Sequence, residues 1–388
     1  MLYVFLNARI MFIKKILRND LKEQNKFFEK KITKNLKKIF RSGNYISNTE
    51  VRKFEKNFGK YIKKKNILAV GNATDAITLA LKSINVRNND EVITSSFTAF
   101  ASINGIINSG AKPVFADIDS DTWLINEDDI IKKITKKTKV IMPIHIFGNV
   151  FNVDKLKNKI KNKNILIIED ASQAHGSKYK NSHAGTIGDF GIWSFYPTKN
   201  LGGYGDSGAL YIKNKKYYKK VFMMRNQGMM NKDKSSIIGC NSRMDEIQAS
   251  ILNTKLKFLD QFNNKRRYIF NYYKKYLPEN LFIPQKINNN VKSNYHILQF
   301  KYLGNKKKLI NYLNKNKIQT NVYYEIPHHL QESIKHLNYK INSLKNCENV
   351  CKQSIALPCY PELNKKKLQY IIKIINKFHH NDKNINNR

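Results

Sequence analysis

From residue 67 to residue 212 the chain alternates short apolar runs with segments of helical spacing, and this alternation restricts its fold more than any other feature. Ile67-Leu68-Ala69-Val70 ends at a Gly71-Asn72 break, after which Ile77, Ala80, Leu81 and Ile84 recur on one helical face. Glu91-Val92-Ile93-Thr94, a helical stretch over 101–108, and Pro113-Val114-Phe115-Ala116 repeat the unit, and apolar runs at 140–147, 165–168, 190–195 and 209–212 continue the strand series. Runs this short, without polar alternation, suit strands covered on both faces. The expected fold is therefore α/β, a mostly parallel central sheet sandwiched by helices. Basic helical segments over 26–58, around a turn at Ser42-Gly43-Asn44, precede the sheet. From about residue 241 the texture changes: a long helix is expected over 244–276, with Pro278 as its stop, then a strand at 295–302 and helices at 306–314 and 365–378. These signals divide the chain into an N-terminal extension (1–18), a large domain (19–260), a smaller C-terminal α+β domain (261–380) and a disordered tail (381–388).

Composition closes off other classes. No apolar stretch reaches the roughly 18 residues that span a bilayer. Lys and Arg number 70 against 29 Asp and Glu, a net charge of +41, which raises nucleic acid as a partner. The lysines are spread from end to end among Asn and Ile, however, and no helix-turn-helix or zinc-finger pattern is present. Runs such as Lys63-Lys64-Lys65 and Lys365-Lys366-Lys367 read as solvated faces, and the cationic field favours capture of small anions. Cys240, Cys347, Cys351 and Cys359 include no CxxC pair and no nearby zinc set, so they read as reduced thiols of a cytoplasmic protein with no metal site. The N-terminus has an apolar start without a cleavage signal, and Met11 offers an alternative start.

Three strand ends carry the chemistry. In ILAVGNATDAITLAL a strand gives way to a helix beginning at Thr74-Asp75-Ala76, whose first-turn amides form a phosphate cradle with the Thr74 hydroxyl. Thr74 or Asn72 acting as a plain helix cap is the simpler alternative. In ILIIEDASQAHG, Glu169-Asp170 places carboxylates at the end of a central strand, a costly position unless a cation faces them. A protonated pyridine nitrogen would serve, although an Asp capping the next turn accounts for the same residue. In GIWSFYPTKNLGGYGDSGAL, Ser194 ends a strand and Lys199 sits in a Gly-rich loop, where loss of solvent would lower its pKa and make its amine nucleophilic enough for a Schiff base. In so lysine-rich a chain Lys199 could equally be a surface cation. Taken in order, cradle, strand-end Asp, then Ser and Lys on a glycine loop, the three point to pyridoxal 5'-phosphate.

The same segments, with SGNYISNTEVRKFEKNF, GAKPVFADID, PIHIFGN, GCNSRMDEIQASIL and IALPCYPEL, make residues 19–378 resemble the DegT/StrS family of nucleotide-sugar aminotransferases. The resemblance implies a type I pyridoxal-phosphate fold in which Lys199 forms the Schiff base and shuttles protons while Asp170 pairs with the pyridine nitrogen. It further implies that Gln173 contacts the ring or its phenolic oxygen, that Thr74, the Asp75 amide and Ser194 hold the phosphate, and that Asn241 reaches the phosphate in the other subunit of a homodimer with active sites at the interface. His145 and His175 match supporting positions. The family's dehydratase branch has His in place of this lysine, so Lys199 implies transamination, from L-glutamate to a nucleotide-linked keto-deoxy-sugar, with a dTDP-3-keto-6-deoxyhexose first and 4-keto sugars as the main competitor. Two departures stand out: Thr98 is followed by Ala99 rather than a ring-stacking aromatic, with Phe97 and Phe100 beside it, and the sugar-side segment reads Asn321-Val322-Tyr323-Tyr324.

Overall fold

The computed structural model describes residues 15–160, 164–231 and 233–386, and for 381–386 the backbone alone. The reading of the first 14 residues, Met11 included, lies outside this range. Two helices come first, α1 (Leu21–Ser42) and α2 (Thr49–Ile62). Asp20 caps α1 by accepting the Glu23 amide, and Gly43 ends it in the left-handed conformation at φ 65°, as the Ser42-Gly43-Asn44 turn requires.

Seven strands follow: β1 (Ile67–Val70), β2 (Glu91–Ser95), β3 (Lys112–Ala116), β4 (Thr138–Met142), β5 (Leu166–Asp170), β6 (Phe190–Ser194) and β7 (Gly208–Ile212). They form one sheet in the order β1-β7-β6-β5-β4-β2-β3. Neighbours from β6 to β3 are parallel, and β7 runs antiparallel to both β6 and β1. Nearly every strand residue is buried, because helices cover both faces. On one face α3 (Ala73–Ser83) and α4 (Phe100–Asn108) pack against the sheet, in a core that also takes in Val92, Ile93, Ile141 and Ile168. On the other, Phe54 and Phe58 of α2 meet Trp193 and Phe195 edge to face at 5.2–5.4 Å.

The predicted helix over 244–276 is two helices, α5 (Glu246–Leu256) and α6 (Leu259–Tyr276). Phe258 leaves helical geometry between them, and its ring packs against Phe28 of α1 at 5.5 Å. The predicted strand over 140–147 stops at Met142, because the backbone turns into a short 3-10 segment at Ile146–Gly148.

A second core gathers around a three-stranded antiparallel sheet, β8 (Phe282–Pro284), β9 (Leu298–Tyr302) and β10 (Ser354–Leu357), with β9 in the middle. Helices α7 (Lys306–Lys315) and α9 (Lys365–Asn386) cover it, while α8 (Lys345–Gln353) precedes β10. Helix α9 runs through Asn386, where the sequence predicts a disordered tail. Ile16, within the expected N-terminal extension, is fully buried in this second core and bridges Ile318.

Candidate active site

Strand register assembles the site. Val70 and Ser194 both pair with Gly208, and Asp170 pairs with Ile192 two residues before Ser194. The turn after β1, the end of β6 and the end of β5 therefore open on one edge of the sheet, where an α/β fold places its ligands. A Cβ on Gly208 would stand 2.7 Å from the Asn72 carbonyl carbon, so glycine is what lets β7 pass beneath the start of α3.

At that start Asn72 is the cap: its Oδ1 accepts the Asp75 amide at 2.8 Å and its Nδ2 donates to Asp75 Oδ2 at 3.0 Å. The capping alternative is thus realised, and the Asp75 amide, a predicted phosphate donor, already has a partner. The Ala73 and Thr74 amides, in the same first turn, lack an intrahelical acceptor. The Thr74 side chain is half-buried, and its hydroxyl makes no hydrogen bond among the described residues. Ser194 is half-buried too, its Oγ accepting the Tyr196 amide at 3.3 Å. Asn241 is exposed on an adjacent loop, where Ser242 Oγ accepts the Gly71 amide at 3.1 Å and Asn241 Oδ1 accepts from Arg243 Nε.

Alternation along β5 separates its two carboxylates. Glu169 points to one side and is wholly buried, where its oxygens accept the Gly185, Ile187 and Gly188 amides and the Nε2 proton of His145 at 2.8 Å. His145 Nδ1 accepts the Phe151 amide at 3.1 Å, which leaves Nε2 as the protonated nitrogen of the neutral ring. Burial works to raise the Glu169 pKa, but the His145 and backbone donors outweigh it and hold the carboxyl below its ordinary value. His145 is therefore a brace for the 185–188 loop. Asp170 points to the other side: Oδ2 accepts from Ser102 Oγ at 2.6 Å and Oδ1 accepts the Ser172 amide at 3.0 Å.

Lys199 follows β6 on a loop closed by bonds from its own amide to Tyr196 O and from the Gly203 amide to Phe195 O. Lys199 is half-buried. Desolvation pulls its pKa down to about 8, the nearby Arg18 pulls the same way, and Asp170 opposes both. His175 is fully buried beside it, held at a pKa of about 3 by burial and by the Lys199 charge, and neither ring nitrogen has a side-chain or backbone partner of good geometry. Gln173 is buried, with both ends of its amide engaged: Oε1 accepts the Phe147 amide and Nε2 donates to Tyr324 Oη, each at 3.1 Å. Phe97 packs edge-on against Trp123, Phe147 and Tyr324, whereas Phe100 meets His328 at 5.1 Å.

Four contributors escaped the sequence reading. Ser102 stands one helical turn beyond Thr98 in SSFTAFASI, a spacing that could have signalled it, since the two hydroxyls lie 3.2 Å apart. Tyr324, named in the sugar-side segment but given no role there, supports Gln173. Lys255, buried on α5, donates to Gly202 O at 2.8 Å and to Gln24 Oε1 at 3.1 Å, tying the lysine loop to α1. Arg18 comes from the predicted extension.

These residues fit pyridoxal phosphate. Lys199 offers an amine whose pKa burial lowers, Asp170 a fixed anion for a ring nitrogen, and Thr74 a hydroxyl without a hydrogen-bond partner among the described residues at a helix start. A sheet of this order bearing such a lysine agrees with the expected type I pyridoxal-phosphate fold. The chain belongs to the DegT/DnrJ/EryC1/StrS aminotransferase family, whose model matches residues 27–376. It is 36% identical over 365 residues to the "pleiotropic regulatory protein" of Geobacillus stearothermophilus (93% of this chain, 97% of the relative). It is 33% identical over 359 residues to the dTDP-3-amino-3,6-dideoxy-alpha-D-galactopyranose transaminase of Aneurinibacillus thermoaerophilus (92% and 98%). Its structure matches DesV of S. venezuelae, solved in complex with a ketimine intermediate, with a TM-score of 0.91 at 27% identity, covering 94% of this chain and 99% of that one. Solved neighbours include forms with pyridoxal phosphate and with its amino form. The protein is a sugar aminotransferase that uses this cofactor. No helix among the described residues is long and apolar enough to cross a membrane.

Proposed function

We propose that the protein moves an amino group from L-glutamate to a nucleotide-linked keto-deoxy-sugar, a dTDP-3-keto-6-deoxyhexose above others, to make an amino sugar for a surface polysaccharide. The observation that carries this reading is Lys199 with its lowered pKa near Asp170 at one sheet edge. Bound pyridoxal phosphate supplies an electron sink for the carbon whose C–H bond breaks. Lys199, its amine pKa lowered by burial, takes and returns that proton. Asp170, its oxygens fixed by Ser102 and the Ser172 amide, would keep a proton on the ring nitrogen of the bound cofactor. Thr74, Ser194 and the Ala73 and Thr74 amides would take the phosphate, and Gln173 would brace the ring side of the site.

Two finer points belong to the same reading. Exposed Asn241 reaches the phosphate site of a second subunit, making the enzyme a homodimer with active sites at its interface, in the cytoplasm. The 3-keto preference is supported by the 3-amino sugar named for the Aneurinibacillus relative. Supplying purified enzyme with L-glutamate and a panel of 3-keto and 4-keto nucleotide sugars, and reading the products by mass spectrometry, tests the proposal. Nitrogen incorporation into the 3-keto substrate alone is the expected result. Amination only of 4-keto sugars would replace the substrate assignment, and deoxygenation without nitrogen gain would replace transamination with dehydration.

A further inference from the structure

Arg18 lies outside every motif the sequence singles out, yet the fold brings it to the active lysine. Its segment is clamped from three directions. The Ile16 amide donates to Lys317 O and the Arg18 amide to Gln319 Oε1, both in the small domain. The Cys359 amide donates to Arg18 O. Asn19 Nδ2 donates to Thr198 O, the residue immediately before Lys199. Held this way, the half-buried Arg18 guanidinium lies over the Tyr323 ring at 5.2 Å, close enough to Lys199 for the two like charges to repel.

The guanidinium forms no ion pair and no side-chain hydrogen bond among the described residues. Three other cations near the core are engaged: Arg225 pairs with Glu55, Arg266 donates to the His296 and Cys359 carbonyls, and Lys255 has two acceptors. A planar fork without an ionic partner among the described residues, set against a tyrosine face on a segment bonded to the lysine loop, is geometry that recognises a carboxylate by two parallel hydrogen bonds. An amino donor carries its carboxylate on the very carbon that reacts, so that group must lie within a few ångströms of the transferred nitrogen. The diphosphate of a sugar nucleotide, by contrast, is held off by the width of the sugar ring.

We propose that Arg18, supported on Tyr323, is the binding residue for the carboxylate of the amino donor. This rests on the glutamate-dependent transfer proposed above, and it assigns a donor-selective role to a residue of the N-terminal segment. Lysine at this position would keep the charge but lose the fork, and glutamine would lose both.

The test compares wild type, Arg18→Lys and Arg18→Gln as holoenzymes, with calorimetric titration of 2-oxoglutarate and, separately, of dTDP, alongside two-substrate kinetics. The expected result is 2-oxoglutarate affinity and glutamate KM worsened about 10- to 100-fold in Arg18→Gln and less in Arg18→Lys. The dTDP affinity and sugar KM stay within about twofold. Loss of dTDP affinity with 2-oxoglutarate unchanged would overturn the proposal in favour of a diphosphate contact. Unchanged binding of both would overturn it outright while leaving wild-type transfer from glutamate intact. Absence of transfer from glutamate in the wild type is a separate result that removes the donor assignment itself, and this proposal with it. Unfolding midpoints of the variants, expected within a few degrees of wild type because Arg18 has no buried partner to strand, separate a binding loss from a folding loss.

Discussion

Ser102 on α4 donates its hydroxyl proton to Asp170 Oδ2 at 2.6 Å, so the carboxylate at the end of β5 is aimed by a helix residue 68 positions earlier in the chain. The bond joins the SSFTAFASI segment to the IEDASQAHG segment across the sheet edge. It leaves the Asp170 carboxylate anchored at both oxygens, with the second held by the Ser172 amide.

Removing this anchor tests whether orientation matters to the reaction. Ser102→Ala is expected to lower kcat roughly 10-fold, the effect of one hydrogen bond to a charged group. Ser102→Thr, which keeps the hydroxyl, restores most of the rate. The pH titration of the cofactor's visible band reads the same change without turnover and is expected to move in Ser102→Ala but not in Ser102→Thr.

Lys199 carries a pH prediction with a definite sign. Its folded pKa of about 8 lies below the ordinary 10.5, so in cofactor-free protein half of the amine is uncharged near pH 8. Reaction with an amine-selective acylating reagent, located by peptide mass spectrometry, is expected to rise through pH 8 at this lysine and through pH 10 at surface lysines. Asp170 raises the Lys199 pKa, so Asp170→Asn shifts the midpoint further down. Lys199→Ala abolishes both the visible band and amino transfer, with a rate loss of at least about 10²–10⁴-fold.

The buried carboxylate that faces away from the site is structural. Glu169→Gln would set an amide NH2 among the Gly185, Ile187 and Gly188 amides and the His145 proton, four donors with one oxygen left to serve them. The expected cost is about 3–5 kcal/mol in denaturant unfolding, the range for breaking a buried ionic network. Because the folded state holds this carboxyl below its unfolded pKa, its stabilisation is present above the unfolded value and fades as pH falls through the folded one. The Gln variant is therefore expected to lose less stability than wild type on acidification.

Gly208→Ala addresses the cradle directly. The new methyl would sit 2.7 Å from the Asn72 carbonyl carbon and 2.9 Å from the Ala73 amide nitrogen, so the start of α3 must shift. Weaker retention of pyridoxal phosphate on dialysis is expected, with unfolding lowered by about 1–3 kcal/mol. Lys199 keeps its apo acylation profile, which distinguishes damage to the cradle from damage to the lysine loop.

How much of this was legible in the chain depends on how local each determinant is. Strand and helix positions from 67 to 212, the caps at Asn72 and Gly43, and the three strand-end segments follow from apolar periodicity and turn chemistry, forces that act between near neighbours. Hence Lys199, Asp170, Thr74 and Ser194 could be named, and the structure brings them to one edge. The split of α5 from α6 at Phe258 could not be read, because aromatic packing against α1, not propensity, ends the first helix there. The opposite facing of Glu169 and Asp170, the pairing of Asp75 with its own cap, and the service of Ser102 to Asp170 depend on which partner stands across the sheet. Most distant of all is Arg18, which reaches Lys199 only because Ile16 is buried beside Ile318 some 300 residues later in the chain. Local sequence thus determined the parts and the cofactor chemistry they suit. Long-range packing alone decided which charges meet, since a charge acts through distance in space and not along the backbone.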